Sequence, residues 1–166
     1  MSEKRIDFGD GQLAIIDHGQ GADPDAVPVL LAHSLGNCAQ TWQFVGPAFS
    51  PKIHAYAIDL AGHGASTATL RSFDDVWRQL IVASRALGLQ RPLLVGHDQS
   101  TFQTSLAAME APEEFRGVVS IGGAVYIDYE KTRQDIEFAL APTFAEMLRE
   151  RFLLGMTGSG QEAVED

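Results

Sequence analysis

Pro92-Leu93-Leu94-Val95-Gly96-His97-Asp98-Gln99-Ser100 sets a short apolar run directly before a glycine-containing turn. The run reads as a buried strand. The turn reads as the sharp strand-to-helix bend that lifts a nucleophile into solvent, with aspartate at its tip. A serine hydroxyl must lose its proton before it attacks, whereas an ionised carboxylate is already a nucleophile suited to displacing a leaving group from saturated carbon. The chemistry expected of Asp98 is therefore epoxide opening or loss of halide. The plain alternative is a turn aspartate that tolerates a strained φ and does nothing else.

Outward from this segment, residues 29–32 and 55–58 are continuously apolar rather than alternating, as expected of strands covered on both faces of a parallel sheet. Residues 118–121 predict a fourth buried strand. Residues 6–8 and 12–17 flank Gly9-Asp10-Gly11 and predict a β-hairpin. Residues 41–49, bounded by Pro47 and Pro51, leave room only for a short helix. The clearest helix starts at a Ser72 cap. In it Phe73, Val76, Trp77, Leu80, Ile81, Ser84 and Leu87 recur near a 3.6-residue period, and Gly88 closes it. A further helix is predicted over 101–110. This alternation favours an α/β fold with a doubly wound, mostly parallel sheet, whose ligands gather at the carboxyl ends of the strands. His33, Asp59 and Asp98 fall at those ends.

Composition bounds the function. The chain has 166 residues and 45% hydrophobic content, enough for one respectable core. A net charge of -10 argues against a nucleic-acid groove or an anionic membrane surface, since both need clustered Lys and Arg. Cys38 is the single cysteine, so neither an intrachain disulfide nor a thiolate metal cage is expected, and a cytoplasmic location fits. No run approaches the roughly 20 apolar residues of a membrane span. No metal-ligand spacing such as His-Glu-x-x-His occurs, so neither a metal nor a cofactor is expected. The expected partner is a small-molecule substrate.

Three segments follow three predicted strands in order: His33-Ser34-Leu35-Gly36, Asp59-Leu60-Ala61-Gly62-His63-Gly64-Ala65-Ser66 and Gly96-His97-Asp98-Gln99-Ser100. Together they resemble the signatures of the α/β-hydrolase superfamily over roughly the first three quarters of the chain. The resemblance implies that Asp98 is a covalent nucleophile and that the backbone N–H groups of Leu35 and Gln99 form the oxyanion hole. It implies supporting roles for His33, Ser34 and His97. His33, His63 and His97 are read as structural rather than as general bases, and Asp59 as the holder of the turn at 62–66. The elbow aspartate resembles haloalkane and haloacetate dehalogenases and epoxide hydrolases. The His33-Ser34-Leu35-Gly36 loop with Gln40-Thr41-Trp42 resembles esterases and enol-lactonases. Three positions depart from the former pattern. Gln99 stands where tryptophan is common, Ser100 replaces the second elbow glycine, and the loop after the first buried strand lacks the His-Gly-x-Pro order.

The expected organisation is a hydrolase-type core over 1–128, then the start of a helical cap and a mobile acidic tail over 129–166. Helices are predicted over 128–138 and 143–154, with an ordinary surface helix pair as the alternative. The resemblance implies two further strands that deliver an acid and a terminal water-activating histidine, and no candidate for either is found before Asp166. Attack by Asp98 without turnover is therefore expected. Three accounts stand: a fragment, a chain completed by a partner, or a non-catalytic ligand-binding or interaction protein on the same scaffold. An unpaired apolar edge after 118–121 predicts homodimerisation or pairing with a complementary chain.

Overall fold

The computed structural model describes residues 2–49 and 51–123, together with the single helical positions Glu130, Gln134, Glu137 and Glu146. Apart from those four positions, the helices predicted over 128–138 and 143–154 and the acidic tail lie outside the described residues. The chain divides into two compact units, Met1–Tyr126 and Ile127–Asp166. The account below concerns the first.

Among the described residues six strands form one sheet in the order β1 (Ser2–Phe8), β2 (Gly11–Asp17), β4 (Ile53–Asp59), β3 (Val27–Ala32), β5 (Leu93–His97) and β6 (Gly117–Ile121). β1 (Ser2–Phe8) and β2 (Gly11–Asp17) make the expected hairpin, with Phe8 opposite Gly11 and Gly9 at a φ of 59° that an L-side chain rarely adopts. β2 then runs antiparallel to β4 (Ile53–Asp59), Ala14 facing Asp59. β3 (Val27–Ala32) pairs in parallel with β4 on one side and with β5 (Leu93–His97) on the other. The sheet is thus mixed, parallel from β4 to β6 and antiparallel where the hairpin joins it.

The apolar runs go where their composition sends them. Leu30, Leu31, Ile58 and Leu94 are fully buried. Each contributes on the order of 1.5–3 kcal/mol through removal from water. Val29, Leu31, Ala55, Ala57 and Val95 share one face by the two-residue strand period and pack with Ala39 and Trp42. Those last two belong to a 3-10 turn, Ala39–Trp42, which is followed by a second, Gly46–Ala48. Two single turns therefore replace the short helix expected over 41–49. Pro47 and the glycine before it leave too little chain for a continuous α-helix.

Helix α1 (Asp75–Ala86) buries Val76, Trp77, Leu80, Ile81, Ala83 and Ser84. Ser72 caps it through a reciprocal pair. Its Oγ accepts the Asp75 N–H at 3.3 Å, and an Asp75 carboxylate oxygen accepts the Ser72 N–H at 2.9 Å. At the other end Gly88, at φ 66°, lets the Leu89 N–H return to the Ser84 carbonyl at 3.0 Å. Helix α2 (Ser100–Glu110) packs on β5 and on α1, where Trp77 Nε1 donates to Glu110 at 2.6 Å.

β6 (Gly117–Ile121) corrects one expectation. It pairs with β5 in parallel, Val95 opposite Val119, yet it is not buried: Val119 is 40% and Ile121 42% exposed. The strand pairs on one side only among the described residues. Apolarity can mark a residue as fit for burial but cannot supply the neighbour that buries it.

β3 is the topological switch of the sheet. The chain steps from β3 to β4 on one side and returns to β5 on the other, and the carboxyl ends of strands at such a switch are where ligands of these sheets gather. Asp98 follows β5 and the loop at 33–38 follows β3 at those ends.

Candidate active site

β5 delivers its last residue, His97, into a bend whose next residue, Asp98, sits at φ 54°. That left-handed conformation costs an L-residue roughly 1–2 kcal/mol. The surroundings enforce it. The Asp98 N–H donates to the Ile121 carbonyl at 2.8 Å, and its carbonyl accepts the Thr101 N–H at 3.1 Å. With both backbone groups engaged, the exposed side chain of Asp98 is the part left to react.

Two glycines let the bend be this tight. A β-carbon on Gly96 would lie 2.5 Å from the Ser100 carbonyl oxygen, and one on Gly123 would lie 2.8 Å from the Asp98 carbonyl oxygen and 2.2 Å from Thr101 Oγ1. Strand, elbow and helix pack at distances only hydrogen atoms permit. Gln99 follows as the residue before α2, and its backbone N–H meets no acceptor among the described residues.

The loop after β3 is organised by His33, which is fully buried. Its Nε2 accepts the Leu60 N–H at 3.1 Å, which obliges Nδ1 to carry the proton it donates to the Ser34 carbonyl at 2.8 Å. Both ring nitrogens are thereby committed, and burial holds the imidazole below its ordinary pKa and neutral. His63 repeats the pattern, Nε2 accepting the Gly36 N–H at 3.3 Å and Nδ1 donating to the Ala61 carbonyl at 3.1 Å. The two rings lie 5.1 Å apart between centroids. Neither can take a proton from water without breaking a bond that holds a loop.

Ser34 enters this network through its carbonyl, which also accepts the Asn37 N–H at 3.2 Å. Leu35 is 44% exposed, and its N–H, like that of Gln99, meets no acceptor among the described residues. Gly36, at φ 72°, turns the chain away immediately after it. His97 packs edge-on against Trp42 with centroids 6.3 Å apart, and its Nδ1 is buried without a described partner.

Asp59, at the end of β4, is 2% exposed and binds two loops at once. Oδ1 accepts the Ala39 N–H at 2.5 Å and Oδ2 the Ala65 N–H at 2.8 Å, while its carbonyl accepts the Ser66 hydroxyl at 2.6 Å. The turn at 62–66 is held as the sequence reading expected. The tie to Ala39 was not foreseen. Gln79 was missed altogether: from the buried face of α1 its Oε1 accepts the Ala61 N–H at 2.8 Å, and its Nε2 donates to the Val76 carbonyl at 2.9 Å. The signal available was a glutamine three residues after Val76, on the apolar stripe of a helix.

The remaining histidines stand apart from these strand ends. His54, near the start of β4, meets Asp17 at 2.8 Å, and His18 adjoins a cavity of ≈ 90 Å³ lined in part by Gly46, Pro47 and Phe49. No group of His, Cys, Asp and Glu among the described residues could hold a metal ion. The arrangement offers a carboxylate on an enforced bend, two unengaged backbone donors on its flanking loops, and histidines that brace those loops.

A family model described as alpha/beta hydrolase fold matches residues 27–159. A pimeloyl-[acyl-carrier protein] methyl ester esterase from Aliivibrio salmonicida is 25% identical over 136 residues, covering 82% of this chain and 49% of that protein. A 2-succinyl-6-hydroxy-2,4-cyclohexadiene-1-carboxylate synthase from Escherichia coli is 32% identical over 96 residues, covering 57% of this chain and 38% of the relative. The chain thus spans half or less of the length of these relatives. Among solved structures, the hypothetical protein PA1622 from Pseudomonas aeruginosa superposes with a TM-score of 0.68 at 23% identity, covering 96% of this chain and 60% of the other. That likeness concerns the fold.

Proposed function

The chain belongs to the alpha/beta hydrolase fold family, and from that premise we propose that it is a hydrolase of small organic substrates whose nucleophile is the Asp98 carboxylate. The observation that carries this reading is the φ of 54° at Asp98, strain that a mere surface turn could avoid by placing glycine there. A carboxylate oxygen of Asp98 attacks an electrophilic carbon and forms an ester bond. The displaced group leaves as halide, or as the epoxide oxygen, which takes a proton from solvent. Water then adds to the carbonyl carbon of that ester, and collapse releases the alcohol and restores the carboxylate. During this step negative charge develops on an oxygen of Asp98 itself, where the Leu35 and Gln99 N–H groups serve as donors. Fixed backbone donors suit the task because they need no reorganisation, and each contributes on the order of 3 kcal/mol.

His33 and His63 have both nitrogens committed, His54 pairs with Asp17, His18 lies beside Gly46 and Pro47, and His97 packs against Trp42, so this reading assigns the water-activating base to none of the described histidines. Attack therefore outpaces hydrolysis in this chain, and the ester accumulates. No helix among the described residues is long and apolar enough to cross a membrane, and a cytoplasmic location is proposed on the single cysteine. Association through the exposed β6 edge belongs to the same proposal.

Intact-mass measurement after incubation with chloroacetate, bromobutane and styrene oxide tests the reading. An adduct that maps to Asp98 and is lost in Asp98→Asn supports it. No adduct from any of the three favours a ligand-binding protein on this scaffold, and steady turnover contradicts the assignment of the base to none of the described histidines.

A further inference from the structure

Ser100 stands where the elbow approaches its helix most closely, and its side chain is fully buried. Its hydroxyl donates to the backbone carbonyl of His33. Regular pairing between β3 and β5 ends at Ala32 opposite Gly96. Beyond that point the strands give way to two loops, and the Ser100–His33 bond is the next tie between them. Its position in the chain matters. Gln99 immediately precedes Ser100, and Leu35 lies two residues after His33, so the bond links the segments that carry these two backbone donors.

We propose that Ser100 is a positioning residue whose hydroxyl sets the separation of the Leu35 and Gln99 amide donors; the proposal rests on the reading of Asp98 as nucleophile and deepens it. The His33 end of the bridge cannot yield. Its ring is held by Leu60 at 3.1 Å and by the Ser34 carbonyl at 2.8 Å. The Ser100 end is equally fixed, because its carbonyl accepts Thr104 Oγ1 at 3.0 Å inside α2. A bond between two immobile ends transmits position rather than merely filling space. Without it the loop at 34–36 keeps its internal bonds at the Ser34 carbonyl, and its tie to another segment is the Gly36–His63 contact, which is long at 3.3 Å.

Two measurements test the assignment in the full chain. In Ser100→Ala, amide hydrogen exchange at Gly36 and Asn37, whose N–H groups are both hydrogen-bonded, is expected to quicken about 10-fold, the equivalent of one net hydrogen bond, while amides of the β1–β2 hairpin keep their rates. The rate constant for labelling by whichever probe reacts fastest is expected to fall by a similar factor with the half-saturating probe concentration unchanged. Should Ser100→Ala fail to fold, Ser100→Gly carries the same comparison. Unchanged exchange at Gly36 and Asn37 overturns the proposal whether or not labelling occurs. Unchanged labelling rate in a variant whose loop exchange has quickened also overturns it. Absence of labelling in the unaltered chain sinks the Asp98 reading instead, and quickened exchange would then leave Ser100 as the clamp of that loop alone.

Discussion

Gly64 packs against the Asp59 carboxylate so closely that a β-carbon on it would lie 2.2 Å from Asp59 Cγ. The residue also holds a φ of 52°. Gly64→Ala therefore meets two penalties, left-handed strain and a clash with a buried carboxylate that is anchored at both oxygens. A loss of about 2–4 kcal/mol is expected, read as a lower urea midpoint with an unchanged slope. A midpoint within experimental error of the parent would show that the Asp59 node can shift at little cost.

Gln79 supplies the acceptor for a buried backbone N–H that belongs to another element. Gln79→Leu keeps the volume but leaves the Ala61 N–H without a partner. The expected cost is about 1–3 kcal/mol, accompanied by faster amide exchange at Ala61 but not at Leu94. Equal stability of the two proteins would mean that the loop re-pairs with solvent.

At the elbow, shape and chemistry separate. Asp98→Asn keeps a side chain that tolerates positive φ, so its stability should stay within about 0.5 kcal/mol of the parent while labelling vanishes. Asp98→Val puts a β-branched residue in the same conformation and should cost about 1–2 kcal/mol more. Thermal denaturation of the pair distinguishes enforced strain from a relaxed turn, in which both variants would melt together.

His18 is 7% exposed, and neither ring nitrogen has a partner among the described residues. Burial, reinforced by the positive chain terminus and opposed by Asp17, lowers its pKa from the ordinary value of 6.5. The unfolded chain then takes up a proton at higher pH than the folded one does. Stability attached to His18 is complete above its ordinary value and is lost as pH falls from there toward the depressed folded value. Urea midpoints should decline between pH 7.5 and pH 5.5, and His18→Phe should flatten that decline. An equally steep decline in the variant would assign the effect elsewhere, first to His33, whose pKa burial also lowers.

The β6 edge presents Val119 and Ile121 to solvent. Val119→Lys should weaken self-association, seen as a lower weight-average mass by light scattering at matched concentration. A parent chain that stays monomeric at every concentration would remove the edge as an association surface.

Much of the architecture was legible because its determinants are local. A glycine pair between alternating runs makes a hairpin, and a serine three residues before Asp75 makes a cap. Continuous apolar runs make strands, and Gly96 before His97 and Asp98 makes an elbow. Each needs only a few consecutive residues to be recognised. The positions of His33, Asp59 and Asp98 at strand ends were legible for the same reason, since each ends or follows its own apolar run. Ala39 as a partner of Asp59, Gln79 as a partner of Ala61, and the Ser100 hydroxyl on His33 were not, since each joins residues 18 to 67 positions apart.

What the sequence by itself determined is the order of elements and the identity of the side chain at the bend, because propensity, period and turn chemistry act within a few residues. Only the tertiary structure decided which loops those side chains bind and that β6 lies open. Hydrogen bonds between distant segments, and burial itself, depend on which surfaces meet when the chain closes on itself, and no local pattern encodes that meeting.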